Sequence, residues 1–302
     1  IYVKKYTPQI VFSKQIDYTI IKSMISFSGW TFWGNLAWMG YTKGIDIFLN
    51  IFIGPVANAA NAIAQQIQSA VGTLSSNIQS AMNPQIIKSY SENQLDNMHH
   101  LIVANSKYSF FLVWFMFLPL FFEARIILQL WLGKVPEYSV TMTQLILIIC
   151  LQNTLSRPLM TGIHATGNIK RLQIVESIIL LTIVPFSYVA LKNKMPGYTA
   201  YIIYIVMEVV AQLARMVIIL PQISFSFKFY CKDIIFKIIP VVIPTLVGSS
   251  LIHSLMNQGY WRMLIQIMFG SIITICTIYS LGINTSERQW ISSRIKALLY
   301  RK

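Results

Sequence analysis

Charge and cysteine are both scarce in this chain. Of its 302 residues 11% are charged, with 10 acidic residues among them, and its three cysteines, Cys150, Cys231 and Cys276, lie far apart. Cysteines at such spacing exclude a disulfide framework and the ligand pattern of a zinc site. No secretory signal peptide is visible, and the scattered Ser, His and Asp residues do not have the spacing of a catalytic triad. We therefore expect neither an enzyme nor a bound cofactor.

Apolar residues dominate instead. The chain is 55% hydrophobic with a mean hydropathy of +0.58, and long apolar runs recur from end to end. This composition is typical of a protein that crosses a membrane several times. The net charge of +14 could indicate nucleic acid, but the basic residues are spread between apolar runs and form no dense patch. We expect membrane lipids as partners, and no nucleic acid.

The apolar runs predict an all-α, polytopic transmembrane helix bundle of about eight spans, because each run is long enough for a helix to cross ~30 Å of hydrocarbon. The predicted spans are 25–53, 56–88, 108–130, 140–162, 172–191, 198–220, 238–256 and 263–281. They divide the chain into a loop (1–24), a six-helix lobe (25–220), a linker (221–237), two additional helices (238–281) and a basic amphipathic tail (282–302). The tail presents Ile291, Ile295 and Leu298 on one face and is expected to lie on the inner membrane surface, with Ser286 and Gln289 as a capping box; a disordered tail is the alternative.

Basic residues predict the orientation, because Lys and Arg stay on the cytosolic side during insertion. Most of them fall in the N-terminal segment, the turns near 88–107 and 168–171, the region 215–237 and the tail. The other side holds Arg125, Lys134, Lys192, Lys194 and Arg262. Both ends of the chain are therefore predicted to be cytosolic.

The second span carries a polar stripe. Its positions recur every three or four residues, which places them on one helical face: Asn58, Asn61, Gln65, Gln68, Gly72, Ser76, Gln79 and Asn83. The opposite face carries Ile63, Ile67 and Val71. An unpaired amide is costly in hydrocarbon, so this stripe faces either another helix or water. The alternatives are interhelical hydrogen bonding and a hydrated central cavity, and the length of the stripe favours the cavity.

Ionisable residues inside other spans are few, and such residues usually face a bundle interior. The first span has Lys43 and Asp46, three residues apart, which could simply neutralise each other. The fourth span has Arg157, which could reach the cytosolic surface. In the sixth span, Glu208 and Arg215 could be joined through Gln212 as a structural network.

Seven short segments follow one another along nearly the whole chain: FSGW (27–30), NIFIGPVANAANAIAQQIQSAV (50–71), NPQIIKSY (83–90), SKYSFFL (106–112), LQLWLGKVPEY (128–138), HATGNIKRLQ (164–173) and SERQWI (286–291). Together these segments resemble the bacterial polysaccharide flippases of the multidrug/oligosaccharidyl-lipid/polysaccharide exporter superfamily. The resemblance implies the later part of such a protein: the second six-helix lobe followed by two extra helices. The first lobe has no counterpart here and the chain does not begin with Met, so we expect a piece of a longer protein.

The resemblance also implies a function. Such proteins move a polyprenyl-diphosphate-linked oligosaccharide to the outer leaflet of the bacterial cytoplasmic membrane for O-antigen or capsule synthesis, alongside a polysaccharide polymerase and glycosyltransferases. Lys43 and Arg157 would then bind the diphosphate, the amides Asn58, Asn61, Gln65, Gln68 and Gln79 would bind the sugars, and Asp46 and Glu208 are candidates for ion coupling. The alternatives are a cation-coupled multidrug exporter, a peptidoglycan-precursor flippase and a scaffold that transports nothing.

The predicted orientation can be tested by cysteine labelling. In a chain otherwise free of cysteine, a cysteine at Gln258 should react with a membrane-impermeant maleimide added to intact cells. A cysteine at Asn168 should react only after the membrane is opened. The reverse pattern would overturn the orientation, because it would place the basic turns outside the cell.

Overall fold

The protein folds as an all-α bundle. The computed structural model describes residues 17–284, 287–289 and 293, and every regular element in that part of the chain is a helix. We number nine helices: α1 (Tyr18–Phe52), α2 (Pro55–Ser91), α3 (Leu95–Phe122), α4 (Ala124–Leu132), α5 (Ser139–Thr166), α6 (Lys170–Lys192), α7 (Thr199–Gln222), α8 (Phe227–Leu255) and α9 (Tyr260–Gly282). Thr182 interrupts α6, and short π-helical turns occur near the start of α8 and at the end of α9.

Six of these helices, α3 and α5 to α9, are long and apolar enough to cross a membrane. The all-α prediction is confirmed, but the predicted number of eight spans is only partly supported. α1 and α2 contain 35 and 37 residues, ample for a span, yet they are not among the six. α2 is the less apolar of the two because amides and hydroxyls occupy so much of its surface. That α1 and α2 cross the membrane stays a prediction.

Local sequence signals account for the first helix boundaries. The Asp17 carboxylate accepts hydrogen bonds from the backbone amides of Thr19 and Ile20, which caps the start of α1. α1 ends at Phe52, and Gly54 follows with a φ of 103°, a conformation that favours glycine. Pro55 then occupies the first turn of α2, where its missing N–H costs nothing.

Two segments predicted as loops are mostly helical. The predicted turn near 88–107 shrinks to residues 92–94, and α8 begins at Phe227, inside the predicted linker 221–237. Polar residues at the start of α3 made that region resemble a loop, but they find partners inside the bundle. The His99 ring stacks on Phe225, and its Nε2 lies 2.8 Å from the carbonyl oxygen of Ile223.

α3 is the central helix of the larger hydrophobic core. It packs against α2 and α5 on one side and against α8 and α9 on the other. A column of stacked rings runs along it, from Phe110 through Trp114 and Phe117 to Phe121. The indole Nε1 of Trp114 donates a hydrogen bond of 2.9 Å to the hydroxyl of Thr245, which fastens α8 to this column.

A second hydrophobic cluster joins α1, α6 and α7 to the first turns of α2 and the first half of α5. Tyr41, Ile45 and Leu49 supply the buried face of α1. α1 packs mainly on α6, whereas α2 packs mainly on α3 and α5. The two helices therefore diverge along the bundle and leave a cavity between the two clusters.

A buried ion pair fastens the segment after α9 to α3. Lys107 is almost fully buried, and its Nζ lies 2.8 Å from both carboxylate oxygens of Glu287. The hydroxyl of Tyr108 and the backbone amide of Asn284 also donate to this carboxylate. The pair brings the region after α9 beside α3. The predicted tail contacts of Ser286, Ile291, Ile295 and Leu298 lie outside the described residues.

Removal of the Glu287 carboxylate should destabilise the bundle. Glu287→Ala leaves the buried Lys107 ammonium without its anion, and breaking a buried pair costs ~3 to 5 kcal/mol. We expect a lower midpoint of thermal unfolding in detergent, with Gln289→Ala, at an exposed neighbour, as the matched control. Equal midpoints for the two variants would show that the pair contributes nothing.

The same pair predicts a pH dependence. Burial alone would raise the pKa of Glu287, but the hydrogen bonds from Lys107, Asn284 and Tyr108 outweigh it and lower that pKa below its ordinary value of 4.5. A carboxyl group whose pKa is lower in the folded state stabilises the fold at pH values above its unfolded-state pKa. This stabilisation is lost as the pH falls through the folded-state pKa. We expect the gap in unfolding midpoint between wild type and Glu287→Ala to persist down to about pH 4.5 and to close below it.

Candidate functional site

A cavity of about 1050 Å³ lies between α1, α2, α5, α6 and α7. Most of the predicted stripe lines it, and so do four of the predicted ionisable residues. These residues are Asn61, Gln65, Gln68, Gly72, Ser76, Gln79 and Asn83 on α2, with Lys43, Arg157, Glu208 and Arg215 from other helices. The opposite face of α2 packs into the core through Ile67, Val71 and Ile86. The structure therefore brings together most of the predicted site.

Two predicted residues are placed differently. Asn58 is exposed in the first turn of α2 and does not line the cavity, because the cavity wall on this helix begins one turn later, at Asn61. Asp46 does not line the cavity either, but its carboxylate accepts hydrogen bonds from three residues that do, Lys43, Asn61 and Gln65. The helical period correctly predicted the face of α2 but not where along the helix the cavity ends.

Asp46 is the centre of the first polar network. Its Oδ2 accepts a hydrogen bond of 2.9 Å from Lys43, and its Oδ1 accepts from the amides of Asn61 (2.5 Å) and Gln65 (2.8 Å). The hydroxyl of Tyr201 donates in turn to the Asn61 side-chain oxygen, which links α1 and α2 to α7. The mutual neutralisation considered for Lys43 and Asp46 is therefore present. The Lys43 side chain is 65% exposed, so water screens its charge and its ion pair with Asp46 is weak.

Arg215 is the centre of the second network. Its guanidinium Nη1 lies 2.8 Å from Glu208 on the same helix and 3.4 Å from the side-chain oxygen of Gln212, as the spacing on α7 predicted. A carboxylate that the sequence analysis missed, Glu176 on α6, accepts a hydrogen bond of 2.5 Å from Nη2. All three charged side chains are mostly buried, and Glu176 Oε2 has no hydrogen-bond partner among the described residues. The network carries one more negative than positive charge beside the cavity.

Arg157 differs from the other Lys and Arg residues of the cavity. It is exposed on α5, and within the described part of the chain its guanidinium has no carboxylate within 4 Å and no hydrogen-bond acceptor. Lys43 and Arg215, in contrast, both have carboxylate partners. Arg157 is therefore the cation that can bind an incoming anion without first losing an internal partner.

Aromatic side chains form part of the cavity wall, which the sequence analysis also missed. Tyr41 and Tyr204 meet edge to face with ring centroids 5.3 Å apart and hydroxyl oxygens 3.4 Å apart. Trp38 and Tyr201 also line the cavity. These residues come from α1 and α7, near the Glu208 and Arg215 network. An aromatic and acidic zone therefore adjoins the amide-rich face of α2.

A second polar strip on α2 makes no hydrogen bond to another helix in the described chain. Its residues are all exposed and lie three or four positions apart, which places them on one face beside the predicted stripe. They are Gln66, Ser69, Thr73, Asn77 and Ser80. α2 is consequently polar over much more of its circumference than the predicted stripe covers. The same helical spacing in the sequence contained this second row, although the prediction used only the first.

The described residues contain no group of three His, Cys, Asp or Glu side chains close enough to hold a metal ion. No protein-family model, curated protein or solved structure matches the chain.

Removal of the Arg215 charge should destabilise the bundle strongly. Arg215→Gln leaves two mostly buried carboxylates, Glu176 and Glu208, without a cation, so we expect the free energy of unfolding to fall by ~3 to 5 kcal/mol. A triple variant with glutamine at positions 176, 208 and 215 should regain much of that loss. Thermal unfolding in detergent measures both effects, and Arg171→Gln, at an exposed arginine, is the control. An unchanged midpoint for Arg215→Gln would show that the cluster is hydrated rather than buried.

Proposed function

We propose that this chain forms part of a bacterial membrane flippase that moves a polyprenyl-diphosphate-linked oligosaccharide across the cytoplasmic membrane for surface polysaccharide synthesis. The observation that carries the proposal is the unpartnered Arg157 of the described chain, beside an amide-lined cavity of about 1050 Å³. This volume lies at the upper end of the ~300–1000 Å³ of ligand sites. The segments that resemble polysaccharide flippases support the same conclusion.

The amides suit the sugar part of this substrate. Each Asn or Gln side chain both donates and accepts hydrogen bonds, as sugar hydroxyls do, and it adds no charge. Gln68 and Gln79 line the cavity, and neither side chain makes a hydrogen bond to another described residue. Asn61 and Gln65 are instead held by Asp46. We therefore assign sugar contacts to Gln68 and Gln79 before Asn61 and Gln65.

The diphosphate needs cations. Arg157 presents a planar guanidinium that can donate two hydrogen bonds to one phosphate group. Lys43 is already paired with Asp46, but the pair is exposed and its Coulomb energy is small, so a phosphate can compete for the ammonium. In this proposal Arg157 is the primary phosphate ligand and Lys43 the secondary one.

The exposed polar strip of α2 fits a cavity that a second helical body completes. Amides at membrane depth need water or protein beside them, and the strip is exposed, with no hydrogen bond to another helix within the described chain. The flippases that this chain resembles are built from two six-helix lobes around a central cavity, and in this proposal the first lobe supplies that second helical body. Transport would then use rocking of one lobe against the other around the cavity.

Ion coupling at Asp46 or Glu208 stays a prediction, as do the cytosolic ends, the bacterial inner membrane and the partnership with a polymerase and glycosyltransferases. Both carboxylates have internal cation partners, so a coupling ion would have to compete with Lys43 or Arg215. Glu176 keeps one carboxylate oxygen unpaired among the described residues beside the same cavity, so we add it to the candidates for this role.

The aromatic and acidic zone favours one alternative, a cation-coupled multidrug exporter. Trp38, Tyr41 and Tyr204 line the cavity, where aromatic rings can attract a lipophilic cation, and the Arg215 network supplies an excess negative charge. An exporter of this kind has no need of the unpartnered Arg157, which would repel its cationic substrate. A peptidoglycan-precursor flippase would use the diphosphate ligands in the same way as the polysaccharide flippase.

The proposal predicts a specific dependence on Arg157. In the full-length protein, Arg157→Gln should reduce surface polysaccharide roughly tenfold in a strain that lacks its own flippase, since a hydrogen bond to a charged group contributes ~1.5 kcal/mol or more. Lys43→Gln should have a smaller effect, because Asp46 already neutralises much of its charge. Arg157→Lys should keep part of the activity.

The control is Arg171→Gln, which removes an exposed arginine outside the cavity, and membrane abundance is checked by immunoblot for every variant. Full export by the Arg157→Gln, Lys43→Gln double variant would reject both residues as phosphate ligands. Export of a lipophilic cation that survives Arg157→Gln, without polysaccharide export by the wild type, would favour the multidrug alternative.

A further inference from the structure

A second, smaller cavity of about 270 Å³ shares no lining residue with the cavity between α1, α2, α5, α6 and α7. Its walls come from the junction of α3 and α4, the first turns of α5, the end of α8 and the start of α9. Arg125, His253 and Arg262 line it together with Glu123 and Gln258. The site therefore lies where the six-helix part of the bundle meets the α8 and α9 pair.

Arg262 pairs with Glu123, the one carboxylate among the described residues that line this cavity. Both side chains are buried. The Nη2 of Arg262 donates to Glu123 Oε2 at 3.0 Å, and its Nε lies 2.8 Å from Oε1, although the N–H direction makes no hydrogen bond there. The Nη1 atom donates to the backbone oxygens of His253 and Met256. This pair closes the base of the cavity and is electrically neutral.

Arg125 remains as an excess positive charge. It is exposed on α4, and in the described ranges no carboxylate lies within 4 Å of its guanidinium. His253 is half-exposed, and its Nδ1 is 3.4 Å from Glu123 Oε1. With Glu123 and Arg262 paired, the described lining carries one net positive charge and has no carboxylate left for an ammonium group.

Two exposed tryptophans indicate the level at which this cavity lies in the membrane. Trp131 follows Arg125 in α4, and Trp261 precedes Arg262 in α9; both side chains are exposed, at 48% and 78%. Exposed tryptophans at the ends of membrane helices prefer the headgroup region of the bilayer. Because both tryptophans lie near cavity residues in the chain, we expect this cationic recess to lie at the level of lipid phosphates.

We propose that this recess binds the phosphodiester of an anionic phospholipid headgroup, with Arg125 as the ligand that holds it. Basic pockets between membrane helices are suited to such headgroups. A zwitterionic headgroup fits less well, because its ammonium would meet Arg125 without a free carboxylate. The bound lipid would bridge α4 and the α8 and α9 pair. This inference needs only a membrane location and does not rest on the transported substrate.

Native mass spectrometry of the purified protein in detergent, titrated with phosphatidylglycerol or phosphatidylcholine, tests the proposal. We expect the wild type to retain phosphatidylglycerol in preference to phosphatidylcholine. Arg125→Gln should weaken that retention about fivefold, the effect of ~1 kcal/mol for one cation near a membrane surface. Arg125→Lys should preserve most of it. Arg125 is exposed and outside the Glu123 and Arg262 pair, so its variants should fold.

Lys134→Gln is the matched control, since Lys134 is an exposed cation just after the other end of α4 and does not line the cavity. Equal losses for Lys134→Gln and Arg125→Gln would mean unspecific surface attraction and would overturn the site. Equal retention of the two lipids by the wild type would also overturn it. A thermal shift with inorganic phosphate that depends on Arg125, without preferential retention of phosphatidylglycerol, would identify a free-phosphate site and reject the lipid.

Discussion

The cost of burying a charged side chain without an oppositely charged partner governs the arrangement of these helices. Arg215 shows it most clearly, because its guanidinium joins carboxylates from two helices, Glu176 on α6 and Glu208 on α7. Asp46 does the same for α1 and α2 by accepting from Lys43, Asn61 and Gln65. Each network fixes the rotation of its helices, since turning one helix would bury an unpaired charge or amide. The cavity lies between the helices that these two networks hold in place.

The length of the apolar runs was sufficient to predict the all-α fold, and helical periodicity predicted most of one cavity wall. Asn61, Gln65, Gln68 and Gln79 face the cavity because a helix places residues three and four apart on one side, whatever surrounds it. Partners on other helices could not be predicted in this way. Glu176 lies in an apolar run, and only the packing of α6 on α7 brings it within 2.5 Å of Arg215. A local sequence pattern predicts which face of one helix is polar. A contact between two helices also depends on the facing side of the second helix and on how the two helices are aligned along their axes.

Two helix boundaries differ from the prediction for a related reason. Polar residues at the start of α3 and in the region 221–237 are typical of loops, but a helix end can hold polar groups if the neighbouring helix end satisfies them. His99 does so through the carbonyl oxygen of Ile223 and the ring of Phe225. Lys107, in the middle of α3, is instead paired with Glu287, which is 180 residues away in the chain. A sequence window contains the polarity of these residues but not the distant partner that permits it.

Charge balance in the cavity limits which substrates fit. Lys43, Arg157 and Arg215 face the space with Glu176 and Glu208, while Asp46 neutralises Lys43 from behind. The excess negative charge of the Arg215 network and the unpartnered Arg157 of the described chain lie on different helices, so the cavity is polarised rather than uniformly charged. An anionic group gains most beside Arg157 and meets repulsion near Glu176. The proposed substrate, with a diphosphate between a polyprenyl chain and neutral sugars, would suit this charge distribution, because the diphosphate would bind beside the unpartnered cation and the neutral sugars would not be repelled by the carboxylates.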